Sequence, residues 1–330
     1  MFLRATLTAL FATLSLPAAA ACDGESYLDQ LTPSEQQQLA TATAAVPFGQ
    51  GLVWDAQKGN QSLLIIGTMH IYDDRLNALM ITLTSSIASA DLLLVEATPD
   101  DQTALQQLMI TDPSQLFLTS GPGLPDLLDE ETWDLLAQAA ADRSIPGFMM
   151  AKMQPWYASL MLSMPPCAMA DVVAGRLGLD HMIMNVADEA GVPMQSLEAF
   201  TTLFAAFQSE TLEDQIAYLR MGLLSADMQR PIFVAMLDQY FTKDIAGLWE
   251  MSRLTLNDLP GMDVQTANEL FAQTQEAILD ERNRNWIPVI TQASETHDNV
   301  IVAAGAAHLI GENGILNLLQ NEGWTVTRAD

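Results

Sequence analysis

Three segments of this chain are apolar at every position rather than at alternate ones: Leu63-Leu64-Ile65-Ile66, Leu92-Leu93-Leu94-Val95 and Val300-Ile301-Val302-Ala303-Ala304. A strand with one face in water alternates apolar and polar residues. One that is apolar throughout needs cover on both faces, as in a parallel sheet flanked by helices. Residues from Leu76 to Ala90 have helical spacing and separate the first two segments, so strand, helix and strand make a parallel crossover. Two short apolar runs, Gly51 to Ala56 and Gln61 to Ile66, flank Lys58-Gly59-Asn60, which is a hairpin signal.

The rest of the chain keeps the same pattern at its ends and departs from it in the middle. A helix is expected after Thr32-Pro33. Residues from 101 to about 250 are mostly helical, with breaks at Gly121-Pro122-Gly123, Ile145-Pro146-Gly147 and Pro165-Pro166. Inside that stretch Val192 to Glu198 forms one more short strand ending in an acid. Its many methionines, Met149, Met150, Met153 and Met184 among them, fall at spacings that suit core filling. A long helix from Val264 to about Trp286, a strand from Asn299 to Ala304, a helix from Ile315 to Glu322 and a strand from Trp324 to Thr327 close the chain. The expected class is α/β: a central, mostly parallel sheet with flanking helices and a largely helical insertion over roughly 101–250.

The N-terminus carries an export signal. Met1-Phe2-Leu3-Arg4 is a short basic start, Ala5 to Pro17 is apolar, and Ala18 to Ala21 offers an Ala-x-Ala cleavage site. The apolar stretch is shorter than the roughly 20 residues a permanent span needs. The expectation is a signal peptide over 1–20 and a single domain over 21–330, periplasmic or secreted and without a transmembrane anchor. Cys22 directly follows the alanines, but the residues before it make a poor lipid-attachment motif. In an oxidising compartment the only other cysteine, Cys167, is the expected disulfide partner. The 330 residues include 41 acidic and 13 basic ones, a formal charge of −28. Such a surface repels phosphate backbones and argues against nucleic acid as a partner.

Two of the four histidines share one context. Gly67-Thr68-Met69-His70 and Gly305-Ala306-Ala307-His308 each come after an apolar strand, and ligands of open parallel sheets bind beyond the carboxyl ends of strands. Glu96 ends the strand expected to neighbour the one before His70. A carboxylate at that position needs a partner, because an isolated buried charge is costly. Two imidazoles and a carboxylate suit a divalent metal that activates water; the alternative is that each histidine caps its own loop. His181 and His297 lack the strand context and are expected to be structural or exposed. Zinc-helix, nucleophile-elbow and phosphate-loop signatures do not occur.

These motifs, with Leu93-Leu94-Val95-Glu96-Ala97, Leu197-Glu198, Glu281-Arg282-Asn283-Arg284-Asn285-Trp286, Gly311-Glu312-Asn313-Gly314 and Gly323-Trp324-Thr325-Val326, resemble the TraB/GumN family, which is related to the Tiki metalloproteases and more distantly to erythromycin-esterase and ChaN-like proteins. The Tiki resemblance implies a hydrolase of peptide, amide or ester bonds using Mn²⁺ or Co²⁺, with Zn²⁺ also suitable, held by His70, Glu96 and His308. Glu198 is a further carboxylate in reach, or else an ion-pair partner of Arg282. The erythromycin-esterase resemblance implies the same residues without a metal: His70 deprotonates water and Glu96 orients it. Arg75, five residues after His70, and Arg282 are secondary catalytic candidates. The resemblance also leaves open a protein that sequesters a peptide or a cofactor such as haem without turnover.

Overall fold

The hairpin around Gly59-Asn60 forms as its turn residues require, with Gly59 at φ 62° between β1 (Val53–Lys58) and β2 (Gln61–Thr68). The computed structural model describes residues 22–208, 211–223, 226–257 and 263–330; the expected signal peptide lies outside the described residues. Four further strands, β3 (Leu92–Val95), β4 (Met194–Ser196), β5 (Asn299–Gly305) and β6 (Thr325–Arg328), complete one sheet of order β4-β3-β5-β2-β1-β6. β4, β3, β5 and β2 are parallel, while β1 and β6 form the antiparallel margin. The fold is therefore mixed α/β with a mostly parallel sheet and flanking helices.

The neighbour of β3 differs from expectation. β5 lies between β3 and β2, so Ile301 pairs with Leu93 on one side and Leu64 on the other. The physical reason is burial: Val300 to Ala304 are all at most 3% exposed, which an edge position could not provide. The crossover helix Leu76–Ala88 carries the chain past one strand position, and the last parallel strand fills it. Glu96 is thereby brought beside the turn that leads to His308.

The C-terminal helical stretch also runs further than expected. Val264–Gln275 continues through a π-helical turn, Glu276–Asp280, into Glu281–Thr296. Pro288 does not end it. The proline sits on the exposed face, while Trp286, Ile287, Ile290 and Ala293 continue the buried stripe past it. The main core joins these side chains to both faces of the sheet; Met150, Met153 and Met184 are buried as core filler, whereas Met149 is exposed. Thr32 opens the helix Pro33–Ala44 with a reciprocal cap to Glu35. Cys22 and Cys167 are disulfide-bonded with Cα atoms 5.2 Å apart. No helix among the described residues is long and apolar enough to cross a membrane.

Candidate functional site

The carboxyl ends of β3, β5 and β2 share one edge, and the parallel register lines up the residues just beyond them: Val95 pairs with Ala303, and Thr68 with Gly305. Glu96, His308 and His70 are each one to three residues past those pairs. Glu96 Oε1 accepts the Gly305 backbone N–H at 2.8 Å. Glu96 Oε2 lies 3.8 Å from His308 Nε2.

Between these groups sits Arg282, carried by the helix after the π turn. Its Nε donates to Glu198 Oε1 at 2.8 Å, and Nη2 donates to Glu96 Oε2 at 2.8 Å and to Glu198 Oε1 at 2.5 Å. Nη1 donates to the Ile278 carbonyl at 3.0 Å and faces His308 Nε2 at 3.2 Å. A guanidinium has five N–H bonds. All five are taken.

His308 is held in one tautomer by a chain of side chains. Asn283 Nδ2 donates to the Asn313 carbonyl, so its Oδ1 faces His308 Nδ1 at 2.6 Å and accepts that proton. Nε2 is then the lone-pair nitrogen turned to Arg282. Asn313 in turn donates to Asp280 Oδ2, within the π turn, at 3.0 Å. The Trp286 ring lies against the imidazole with centroids 4.4 Å apart. Burial, together with the Arg282 and His70 charges and against the pull of Glu96, lowers the His308 pKa to about 4, so the ring is neutral at pH 7. Burial opposes ionisation of Glu96, but His308, His70, Arg282 and the Gly305 N–H outweigh it and lower its pKa to about 2.

His70 is set up differently. Its Nδ1 is 3.2 Å from Asp180 Oδ2, and the ring keeps 63% of its surface open. A carboxylate only accepts, so Nδ1 carries a proton in either charge state, and Nε2 offers a lone pair only once the ring is neutral. The Asp180 hydrogen bond, with help from Glu96, outweighs burial and raises the His70 pKa to about 9. Burial works against the Asp180 charge, while His181 and His70 together keep its carboxyl well below the usual range. His181 Nδ1 lies 3.1 Å from the same Asp180 oxygen, and its Nε2 meets Gln102 at 3.0 Å. His181 thus backs the rim. His297, at a helix end, contacts Thr296 and the Ala293 carbonyl.

Asp180 gets there because the helix Leu179–Ala190 begins against the His70 loop. Gly178 and Leu179 donate to the carbonyls of His70 and Met69 at 3.0 and 2.8 Å. A Cβ on Gly178 would fall 2.0 Å from the Met69 oxygen, so only glycine fits. Tyr240 fixes the other side of the loop by donating to the Gly67 carbonyl at 2.9 Å. Asp180 is absent from the residues that strand context singles out. The one signal that could have pointed to it is Gly178-Leu179-Asp180-His181, a helix start with an acid in its first turn.

Arg75 is not brought to this group. Its guanidinium forks onto Asp73 at 2.9 Å twice, reaches Asp238 at 3.5 Å and lies 4.0 Å over the Phe241 ring. Its five-residue distance from His70 carries it into the first turn beyond the loop, where those acids lie nearer than Glu96.

The donor set as arranged does not fit a divalent metal. The space where Glu96, Glu198 and His308 converge is filled by the Arg282 guanidinium, and no group of three His, Cys, Asp or Glu side chains among the described residues is placed to hold an ion. A metal there would meet a neighbouring cation and a histidine whose lone pair is already in use.

A sequence model of the TraB/PrgY/gumN family matches residues 52–328. The chain is similar to the uncharacterized protein YbaP of Escherichia coli strain K12, at 22% identity over 267 residues that cover 79% of this chain and 89% of YbaP. No solved structure is a significant match.

Proposed function

The chain belongs to the TraB/PrgY/gumN family, and from that premise and the geometry of the rim we propose that it is an exported hydrolase of amide or ester bonds, in peptides or small molecules, working with His70 and Glu96. The observation that carries this reading is the His70–Asp180 pair: an open imidazole, held at Nδ1, at the strand edge where Glu96 also lies. Glu96 is itself held by Gly305 and Arg282 and retains lone pairs for one more donor.

In this reaction, carried by the neutral form of His70 and so favoured as pH rises towards about 9, a water molecule bonds to Glu96 and gives its proton to His70 Nε2 as its oxygen attacks the carbonyl carbon. The tetrahedral intermediate collapses with cleavage of the C–N or C–O bond. The His70 imidazolium returns the proton to the leaving group. Asp180 holds the ring in the productive tautomer and offsets the charge that forms on it, as the carboxylate does in any His–Asp pair. Arg282 keeps Glu96 ionised and aimed, and its own donors stay paired throughout.

Hydrolysis of a fluorogenic peptide library and a panel of aryl esters, with the wild type beside His70→Ala and Glu96→Gln, tests the proposal. Each variant is expected to lose about 10²–10⁴ in kcat/KM. No turnover by the wild type on any substrate, or turnover equal in the variants, sinks it and leaves the sequestering role.

A further inference from the structure

The five-fold pairing of Arg282 bears on ion binding as well as on hydrolysis. We propose that Arg282 is the resident cation of this site and that removing its guanidinium charge turns Glu96, Glu198 and His308 into a metal site. The inference concerns what occupies the rim and does not depend on whether the rim is catalytic.

Glu96 Oε2, Glu198 Oε1 and His308 Nε2 all point at one guanidinium, at 2.8, 2.5 and 3.2 Å. These are two hard carboxylates and one imidazole nitrogen, a mixture that binds Mn²⁺, Co²⁺ or Zn²⁺ when nothing else neutralises it. Glu96 Oε2 and His308 Nε2 are 3.8 Å apart. Adjacent ligands of an ion with bonds of about 2.1 Å lie roughly 3 Å apart, so this pair would close with less than about 1 Å of movement. The arginine already does what the ion would do electrostatically. It neutralises one of two half-buried carboxylates and engages the imidazole lone pair. The Arg282 side chain is only 10% exposed, and it also lies 4.8 Å from the Trp286 ring, so withdrawal would abandon five hydrogen bonds and a stacked contact together.

The His308 side reports the site optically, because Trp286 stacks on it. The test is titration of chelator-treated protein with MnCl₂, monitored by tryptophan fluorescence and by the thermal transition. The wild type is expected to show no saturable response and no shift in Tm. Arg282→Met, which keeps much of the side-chain bulk while removing the charge, is expected to gain saturable one-to-one Mn²⁺ binding and a rise in Tm on loading. His308→Ala added to Arg282→Met is expected to lose both. Stoichiometric Mn²⁺ binding by the wild type that Glu96→Gln abolishes overturns the proposal, and so does an Arg282→Met protein that folds yet binds nothing. The wild-type titration decides the matter alone if the variant does not fold.

Discussion

His70 and His308 carry the same side chain into opposite surroundings, and their charges separate accordingly. His308 is buried, and its pKa falls from 6.5 to about 4. A group whose pKa is lowered by folding contributes stability above its unfolded value and loses it as pH falls. The protein should therefore lose stability between pH 6.5 and 4 by on the order of 3 kcal/mol from this residue. Urea melts across that window should show it, with a flatter slope in His308→Gln; equal slopes would contradict it. His70 runs the other way. Its raised pKa contributes below pH 6.5 and is lost as pH rises towards about 9. Solvent over the open ring screens that contribution, so it is small. The clear readout is the pKa itself: in imidazole NMR, Asp180→Asn should bring His70 back towards its ordinary value. The acid limb of the rate profile should move to lower pH with it, since the base works only when deprotonated. A His70 titration unchanged by that substitution would separate the pair.

Helix Leu179–Ala190 places Asp180, and Gly178 is the point of contact. Gly178→Ala should cost about 2 kcal/mol or more by forcing helix and loop apart, read as a lower urea midpoint. An unchanged midpoint would mean that helix and loop do not approach so closely. Much of this architecture was legible from single elements: the hairpin from Gly59-Asn60, the buried strands from their unbroken apolar runs, the two rim histidines from Gly-x-x-His. The illegible remainder depends on residues far apart in the chain. Asp180 meets His70 across 110 positions, and nothing in either segment marks the other. The insertion of β5 beside β3 is a global outcome, decided by which strand most needs both edges covered. The helix expected to end near Trp286 runs on through Pro288, whose penalty is tolerated where the stripe of Trp286, Ile287 and Ile290 continues to be buried. The ion pair of Glu198 with Arg282 was one of two readings of those residues, and the metal reading weighed the ligands without the cation between them.

At the scale of the molecule, the disulfide ties the segment around Cys22 to the helical middle, closing a loop of 145 residues. The chain-entropy relation gives about 5 kcal/mol for a loop of that length. Replacing both cysteines by serine should lower the thermal transition sharply, and reductant should do the same to the wild type; a transition indifferent to reductant would contradict that weight. The net charge of −28 adds a general self-repulsion, and added salt should raise Tm modestly in both proteins. In the proposed reaction the sheet edge, the saturated arginine and the His70–Asp180 pair make a rim that needs only the chain's own residues. The most direct measurement of that claim is turnover of the best substrate in excess EDTA, wild type beside Glu96→Gln. The account predicts wild-type turnover unchanged by the chelator and lost in the variant. Wild-type turnover abolished by EDTA and restored by Mn²⁺ would contradict it.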